Sequence, residues 1–212
     1  MKLDKKSLLL YGVTDRSWLN GRRLAQDVEK ALQGGATFIQ LREKDASFEE
    51  FVEQAKEVKA VCKEYGVPFV INDNIEVALA VDADGVHVGQ SDMEAGSVRQ
   101  KLGKDKIIGV STRTVEEALL AKERGADYLG VGAMFQTATK LDAADVTFGQ
   151  LKEICKAVDV PVVAIGGISS KNVEELAGTG IDGVAVVSAL FAAEDIKQAT
   201  VEMKEKLKKI VK

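Results

Sequence analysis

Short apolar runs and longer amphipathic stretches alternate along the whole chain. The runs Leu8–Val13, Phe38–Leu41, Phe69–Ile71, Gly85–Val88, Ile107–Val110, Tyr128–Val131, Val162–Ile165 and Gly183–Val187 are nearly continuous in Val, Ile, Leu and Gly. Strands buried on both faces have this composition, because helices cover one side of a parallel sheet and a barrel interior fills the other. The stretches between them carry helical period. Leu24, Val28, Ala31 and Leu32 form one apolar stripe, and Phe51, Ala55, Val58 and Val61 another, with Glu49, Glu50, Glu53 and Lys56 on its wet side. Ser47 followed by Glu50 is a capping-box pattern. Gly66 and Gly125 stand where helices should end.

A weak internal repeat agrees with this. Gly35-Ala36-Thr37, Asp82-Ala83-Asp84, Gly125-Ala126-Asp127 and Gly180-Ile181-Asp182 each lead straight into an apolar run. Reuse of one helix-to-strand turn is expected of repeated half-units. Strand and helix alternating eight times predict an α/β fold, a single (β/α)8 TIM barrel spanning residues 1–212. An open doubly wound sheet is the alternative. It would more often carry a glycine-rich dinucleotide fingerprint after its first strand, and Gly12-Val13-Thr14-Asp15 is not one.

Composition narrows the function classes. The 212 residues and 46% hydrophobic content suffice for one well-buried core. The net charge of -4, without a basic stripe, argues against a nucleic-acid partner. Lys204 to Lys212 read as the polar face of a last helix. Cys62 and Cys155 lie far apart in helical patterns without metal-ligand spacing, as buried free thiols of a reducing compartment would. No long apolar run follows the polar residues Met1 to Lys6, so neither signal peptide nor membrane span is expected and a cytoplasmic location is. Small phosphorylated molecules are the expected partners, and a homo-oligomer is compatible with the chain.

In barrels of this kind the working residues sit at the C-terminal ends of strands and in the loops that follow. After the second run comes Gln40-Leu41-Arg42-Glu43-Lys44. Alternation puts Gln40, Arg42 and Lys44 on one side, so an amide and two cations face the barrel mouth. The competing reading is a surface cluster in which these cations pair with Glu43 and Asp45. After the third run comes Asn72-Asp73-Asn74, and after the fourth Gly89-Gln90-Ser91-Asp92. Carboxylates on neighbouring strand ends suit an oxygen-ligated Mg²⁺ shared with a phosphate; a turn or helix cap is the alternative for Asp73. Ser111 and Thr112 offer hydroxyls, or cap the helix beginning near Thr114. The loop from Gly132 to Lys140 alternates hydroxyls and ends on a cation, which suits an anion under a lid. Gly166-Gly167-Ile168-Ser169 and Val187-Ser188-Ala189 form the recurrent phosphate cradle of barrels, or else turns that need glycine for geometry alone. His87 is the single histidine, inside a strand, where core or mouth lining is as good a reading as catalysis. Trp18 reads as packing over the mouth. No Ser–His–Asp or Cys–His set is present, and no lysine ends the sixth run, which disfavours acyl transfer and Schiff-base chemistry.

Seven motifs in order, Gln-Leu-Arg-Glu-Lys, Asn-Asp-Asn, His-Val-Gly-Gln-Ser-Asp, Gly-Val-Ser, Thr-Ala-Thr-Lys, Ile-Gly-Gly-Ile and Val-Val-Ser-Ala, resemble the thiamine phosphate synthase family over roughly residues 8 to 195. The resemblance implies a transferase. 4-Amino-2-methyl-5-hydroxymethylpyrimidine diphosphate would lose diphosphate with Mg²⁺ assistance, leaving a pyrimidine-stabilised carbocation. The nitrogen of 4-methyl-5-(2-phosphoethyl)thiazole would capture it, giving thiamine monophosphate. By the same resemblance Gln40, Leu41, Arg42, Glu43 and Lys44 hold the pyrimidine diphosphate, with Gln40 nearest the ring. Asn72, Ser111 and Lys140 add diphosphate contacts, and Arg42, Lys44, Ser111 and Lys140 act in catalysis. Asp73 and Asp92 carry the metal. Thr137, Ala138, Thr139, Gly167, Val187 and Ser188 take the thiazole phosphate.

Three positions depart from the family pattern. Asn74 stands where a second Asp is common, and Ala133 and Gln136 replace prolines, which should loosen the sixth strand's loop. Two rival functions remain at this point: a thiazole tautomerase-like isomerase, which would not need the diphosphate and metal set, and a non-catalytic phosphometabolite-binding barrel.

Overall fold

The computed structural model describes residues 3–89, 98–136 and 146–211. Eight parallel strands close in chain order: β1 Leu10–Val13, β2 Phe38–Leu41, β3 Phe69–Asn72, β4 Gly85–Val88, β5 Ile107–Thr112, β6 Tyr128–Val131, β7 Val162–Ile165 and β8 Gly183–Val186. The helices between and after them are α1 Leu24–Gly34, α2 Phe48–Glu64, α3 Ile75–Ala80, α4 Val98–Leu102, α5 Val115–Glu123, α6 Phe148–Ala157, α7 Ser188–Phe191 and α8 Ile196–Ile210. The capping box at Ser47 and Glu50 is present, and Gly66 and Gly125 close their helices at φ 65° and 92°.

The strand boundaries differ from the apolar runs in four places, one of them β3, which runs on to Asn72. Leu8 is not in β1 but in a 3-10 turn, Lys5–Leu8, where it is fully buried at the bottom of the barrel. Val187 falls outside β8 and caps α7. Ser111 and Thr112 belong to β5, and Thr114 caps the next helix. The β7–β8 connection is also shorter than a helix and contains only the 3-10 turn Val173–Leu176.

The repeated turn has a physical task at the barrel's lower rim. Thr37 donates its N–H to the Leu10 carbonyl (2.8 Å), and its Oγ1 accepts from the Leu10 N–H (2.9 Å). Asp84 clamps Phe69 in the same way, Asp127 clamps Ile108 and Asp182 clamps Val162. Each residue just before an even-numbered strand thus satisfies both backbone groups where the preceding strand enters the sheet, groups that would otherwise lack a ladder partner.

Alternation then stacks the interior in layers of four drawn from alternate strands. Phe38, Gly85, Tyr128 and Gly183 form the lowest even-strand layer, with Ile107 pressed against Gly85 and Leu8 against Gly183. The Phe38 and Tyr128 rings meet edge to face with centroids 5.6 Å apart. Above them lie Tyr11, Val70, Gly109 and Val163, then Gln40, His87, Gly130 and Ala185, then Val13, Asn72, Ser111 and Ile165. The opposite faces of the strands, among them Ile39, Leu41, Ile71 and Val88, pack under the helices. The helix ring is closed where α1 meets α8 at Gly34, whose absent Cβ would lie 2.5 Å from the Lys197 carbonyl oxygen. On α8 the residues Ile196, Thr200, Met203 and Leu207 are buried and the lysines lie outside.

The interior layers make a stability contrast testable. A Cβ on Gly85 would sit 1.9 Å from the Ile107 carbonyl oxygen, whereas one on Gly149, in α6, would meet only Thr147 Oγ1 at 3.8 Å. Gly85→Ala should cost about 3 kcal/mol through forced strand displacement. Gly149→Ala should gain about 0.5–1 kcal/mol from reduced chain entropy. Urea unfolding of both variants checks the pair; equal effects would contradict the layer geometry.

Candidate functional site

The upper end of β2 divides its five motif residues by side. Gln40 points into the barrel and is 4% exposed; Arg42, half-buried, and Lys44 come after the end of the strand. Leu41 is fully buried under the helices, so its side chain is turned away from the mouth. The Arg42 N–H donates to the hydroxyl of buried Thr14 (3.1 Å), and its guanidinium lies 3.5 Å from Asp15 Oδ2. Asp15 also accepts from the Ser17 N–H and caps the 3-10 turn Arg16–Trp18. Lys44 is exposed, and no ion pair to it is found among the described residues. The expected alternative, a surface cluster pairing these cations with Glu43 and Asp45, is therefore not the arrangement.

Glu43 does something else. Its side chain is 1% exposed and lies 3.4 Å from the Arg16 guanidinium. Gln54 of α2, with its amide turned to satisfy both neighbours, donates to Glu43 Oε1 (2.9 Å) and accepts from Arg16 Nη2 (2.7 Å). Burial raises the carboxyl above the usual glutamate range, with Arg16 opposing the rise. The expected role of Glu43 as a diphosphate contact needs revision on this ground: its side chain braces the β1 and β2 loops against α2. Any contact from Leu41 or Glu43 with a ligand at the mouth would come from backbone atoms.

At the end of β3, Asn72 Nδ2 reaches the His87 carbonyl at 3.3 Å. Asp73 is exposed, donates its N–H to that same carbonyl (2.9 Å) and sits at φ 58°, in the left-handed region that an Asp tolerates better than most residues. The helix cap is the neighbouring Asn74, whose Oδ1 accepts from the Val77 N–H at 2.9 Å. This accounts for the family departure at 74 structurally, since Asn caps as well as Asp does. It also leaves the Asp73 carboxylate out of the capping role.

Below the mouth runs a continuous polar chain. Gln40 Nε2 donates to the Tyr11 hydroxyl. Tyr11 and Tyr128 share a hydrogen bond of 2.8 Å, Tyr128 meets His87 Nδ1 at 2.9 Å, and His87 Nε2 meets Ser111 Oγ at 2.9 Å. Burial pushes both phenols well above their ordinary range. Tyr11 and Tyr128 were not singled out by the sequence motifs, although both share the inward phase of the Gln40 and Ser111 strands and a buried phenol needs a partner.

On the other side of the mouth, Met134 and Phe135 donate backbone hydrogen bonds to Ile165 and Gly166 (both 3.0 Å). Through these two bonds residues 134 and 135 stay beside the end of β7. Ala133 is buried. Gly167 has φ 64°, and a Cβ there would lie 2.5 Å from the Gln136 carbonyl oxygen. It is required by the crossing of the sixth loop, whatever ligand it also meets. Asn172 fastens the same turn by donating to the Gly167 carbonyl (2.9 Å) and accepting from the Ser169 N–H (2.8 Å). Val187 and exposed Ser188 open α7 opposite. Asp92, Thr137, Ala138, Thr139 and Lys140 lie outside the described residues. Among the described residues no three acidic, histidine or cysteine side chains gather as a metal cluster.

Residues 10–190 match the family model described as thiamine monophosphate synthase. The chain belongs to the thiamine monophosphate synthase family. It is 53% identical over 199 residues to a thiamine-phosphate synthase of Alkaliphilus oremlandii, covering 94% of this chain and 95% of that one. A thiamine-phosphate synthase of Clostridium botulinum is 49% identical over 207 residues, 98% of this chain and 97% of that one. Among solved structures, a thiamine phosphate pyrophosphorylase from Pyrococcus furiosus superposes with TM-score 0.89 at 40% identity, covering 98% of this chain and 99% of that one.

Trp18, in the 3-10 turn after β1, is partly buried and packs against the core. Cys62 and Cys155 are free, and burial raises their thiols to about 12 and about 11, which keeps them protonated. Among the described residues no helix is long and apolar enough to cross a membrane.

Glu43 generates a pH prediction. A carboxyl whose folded pKa is raised favours folding below its unfolded pKa, and that contribution is lost as pH rises through the folded value. Glu43→Gln should remove this loss. The stability of the variant relative to the parent should therefore climb in urea titrations as pH rises above the ordinary glutamate range. A difference that stays constant with pH would show that Glu43 is not the group responsible.

Proposed function

We propose that this chain joins 4-amino-2-methyl-5-hydroxymethylpyrimidine diphosphate to 4-methyl-5-(2-phosphoethyl)thiazole, releasing diphosphate and forming thiamine monophosphate. Membership of the thiamine monophosphate synthase family carries the reading. The arrangement of the mouth supports it. Cations and a carboxylate ring the β2 and β3 ends, while the deeper layer is polar but uncharged at Gln40 and Ser111. A neutral ring fits below and its diphosphate above.

The step breaks the bond between the pyrimidine's methylene carbon and the diphosphate oxygen, and the electron pair leaves with that oxygen. The thiazole ring nitrogen then gives its lone pair to the same carbon. No strong base is needed, so the protein's work is to position two partners and offset charge on the departing group. Arg42, held by Asp15 and Thr14, offers a pre-oriented fork for diphosphate oxygens, and Lys44 and Lys140 would add positive charge. Asn72 and Ser111 supply neutral donors. Gly167, Val187 and Ser188, with Thr137 to Thr139, would take the thiazole phosphate.

Asp73 and Asp92 would hold Mg²⁺. The donor chemistry fits, because Mg²⁺ takes one or two carboxylates and completes its shell with water and substrate phosphate. The exposed Asp73 carboxylate, released from helix capping by Asn74, is suited to that. When bound, the ion would neutralise charge on the leaving diphosphate.

Protein supplied with both substrates and Mg²⁺ should release diphosphate and form thiamine monophosphate, and a chelator should abolish both; no product across a range of Mg²⁺ concentrations would overturn the assignment. Arg42→Ala should lower kcat by about 100-fold or more, as loss of a charged leaving-group contact does. Ser188→Ala should raise the thiazole phosphate KM with little change in that of the pyrimidine diphosphate. Equal losses for the two substrates would contradict separate halves of the mouth.

A further inference from the structure

The buried chain Gln40–Tyr11–Tyr128–His87–Ser111 crosses the barrel beneath the mouth, and its interior members each have a single proton to give. A phenol has one O–H, and a neutral imidazole has one N–H. Donation must therefore run in one direction along the whole chain. With the Gln40 amide nitrogen donating to Tyr11, Tyr11 donates to Tyr128 and Tyr128 donates to His87 Nδ1. The imidazole proton then lies on Nε2 and is given to Ser111 Oγ. Ser111 passes its own proton onward, and Gln40 keeps its carbonyl oxygen for another donor. Turning the Gln40 amide reverses every link.

We infer that these five side chains couple the two ends of the pyrimidine diphosphate, so that donation by Ser111 to the diphosphate end obliges Gln40 to act as an acceptor at the ring. This rests on the functional reading above. Diphosphate oxygens can only accept, so a bound diphosphate fixes the direction at Ser111. Gln40 must then present its carbonyl, which welcomes an amino substituent on the ring and rejects a ring oxo group. Tyr11 and Tyr128 are positioning residues in this scheme: they act through Gln40 and His87. High phenol pKa values keep both protons in place, as the scheme requires.

His87 is the single histidine of the chain, so selective ¹⁵N-histidine labelling reports one imidazole. At about pH 8, above the ordinary imidazole range, the ligand-free protein should show one tautomer, protonated at Nε2. Gln40→Met touches neither His87 nor Tyr128, yet should move the two nitrogen resonances towards each other as the other tautomer becomes populated. Tyr11→Phe should do the same, and adding Gln40→Met to it should do nothing further. A parent protein protonated at Nδ1 or mixed, or a silent Gln40→Met, would overturn the directional chain. In turnover, the parent's preference in kcat/KM for the amino substrate over its 4-oxo analogue should fall at least about tenfold in Tyr11→Phe; an unchanged preference would overturn the selectivity claim. Both variants keep a side chain of similar size, and circular dichroism confirms that each is folded before either reading is taken. The nitrogen spectra need no turnover, so failure of the thiamine monophosphate assay alone would remove the proposed reaction and leave the chain's direction standing.

Discussion

Closing eight strands into a barrel leaves each strand only every second residue facing inward, and a polar group placed there cannot turn to bulk water. That constraint organises the molecule. Gln40, His87, Ser111, Tyr11 and Tyr128 all have the inward phase. An unpaired buried polar group costs about 1–3 kcal/mol, so each of these has to find another, and the links at 2.8–2.9 Å between Tyr11, Tyr128, His87 and Ser111 are the result. The space for them comes from glycines on nearby strands. A Cβ on Gly109 would lie 2.1 Å from the Tyr128 ring, and one on Gly130 3.0 Å from the His87 ring. Glycine in these strands is thus a packing requirement set by the polar chain.

The same period-two geometry sorts the β2 end. Gln40 and Arg42 share a phase and differ in height, so the amide is buried and the guanidinium reaches the rim. Leu41 and Glu43 share the other phase. Leu41 joins the apolar layer under the helices, whereas Glu43, a carboxylate in that layer, would be untenable alone. Arg16 and Gln54 make it tolerable, and in doing so tie the first loop to α2. The positioning of Arg42 by Asp15 depends on that first loop. A residue facing away from the mouth therefore helps to hold one that faces it.

Fold and site were legible to different depths for physical reasons. Eight buried strands and the repeated turn can be read directly, because burial on both faces and a rim clamp each demand particular residue types at fixed spacing. Thr37, Asp84, Asp127 and Asp182 appear in the sequence as a motif because one geometry recurs. Boundaries were less legible: Leu8 and Val187 are apolar enough for strands, but the 3-10 turn and the α7 cap claim them. Contiguity misled at Glu43, where five adjacent residues read as one binding motif although alternation sends two of them the other way. Tyr11 and Tyr128 were hidden for the opposite reason. An aromatic in an apolar run reads as core, and only closure of the barrel shows that residues 117 positions apart meet through their hydroxyls.

The layering also explains how one mouth can handle charge without a buried charge beneath it. Desolvating an ion is costly, and the cost grows with depth in a low-dielectric interior. The cations Arg42 and Lys44 and the carboxylate Asp73 accordingly sit at the rim, where solvent, counter-ions or a ligand can meet them. The described layers below hold hydrogen-bonding groups at Gln40, His87, Asn72 and Ser111, and hydrocarbon and glycine otherwise. A molecule that is neutral at one end and polyanionic at the other is oriented by this gradient before any specific contact forms. The neutral chain then adds what the gradient cannot: a fixed sense of donation that distinguishes one neutral ring from another of the same size.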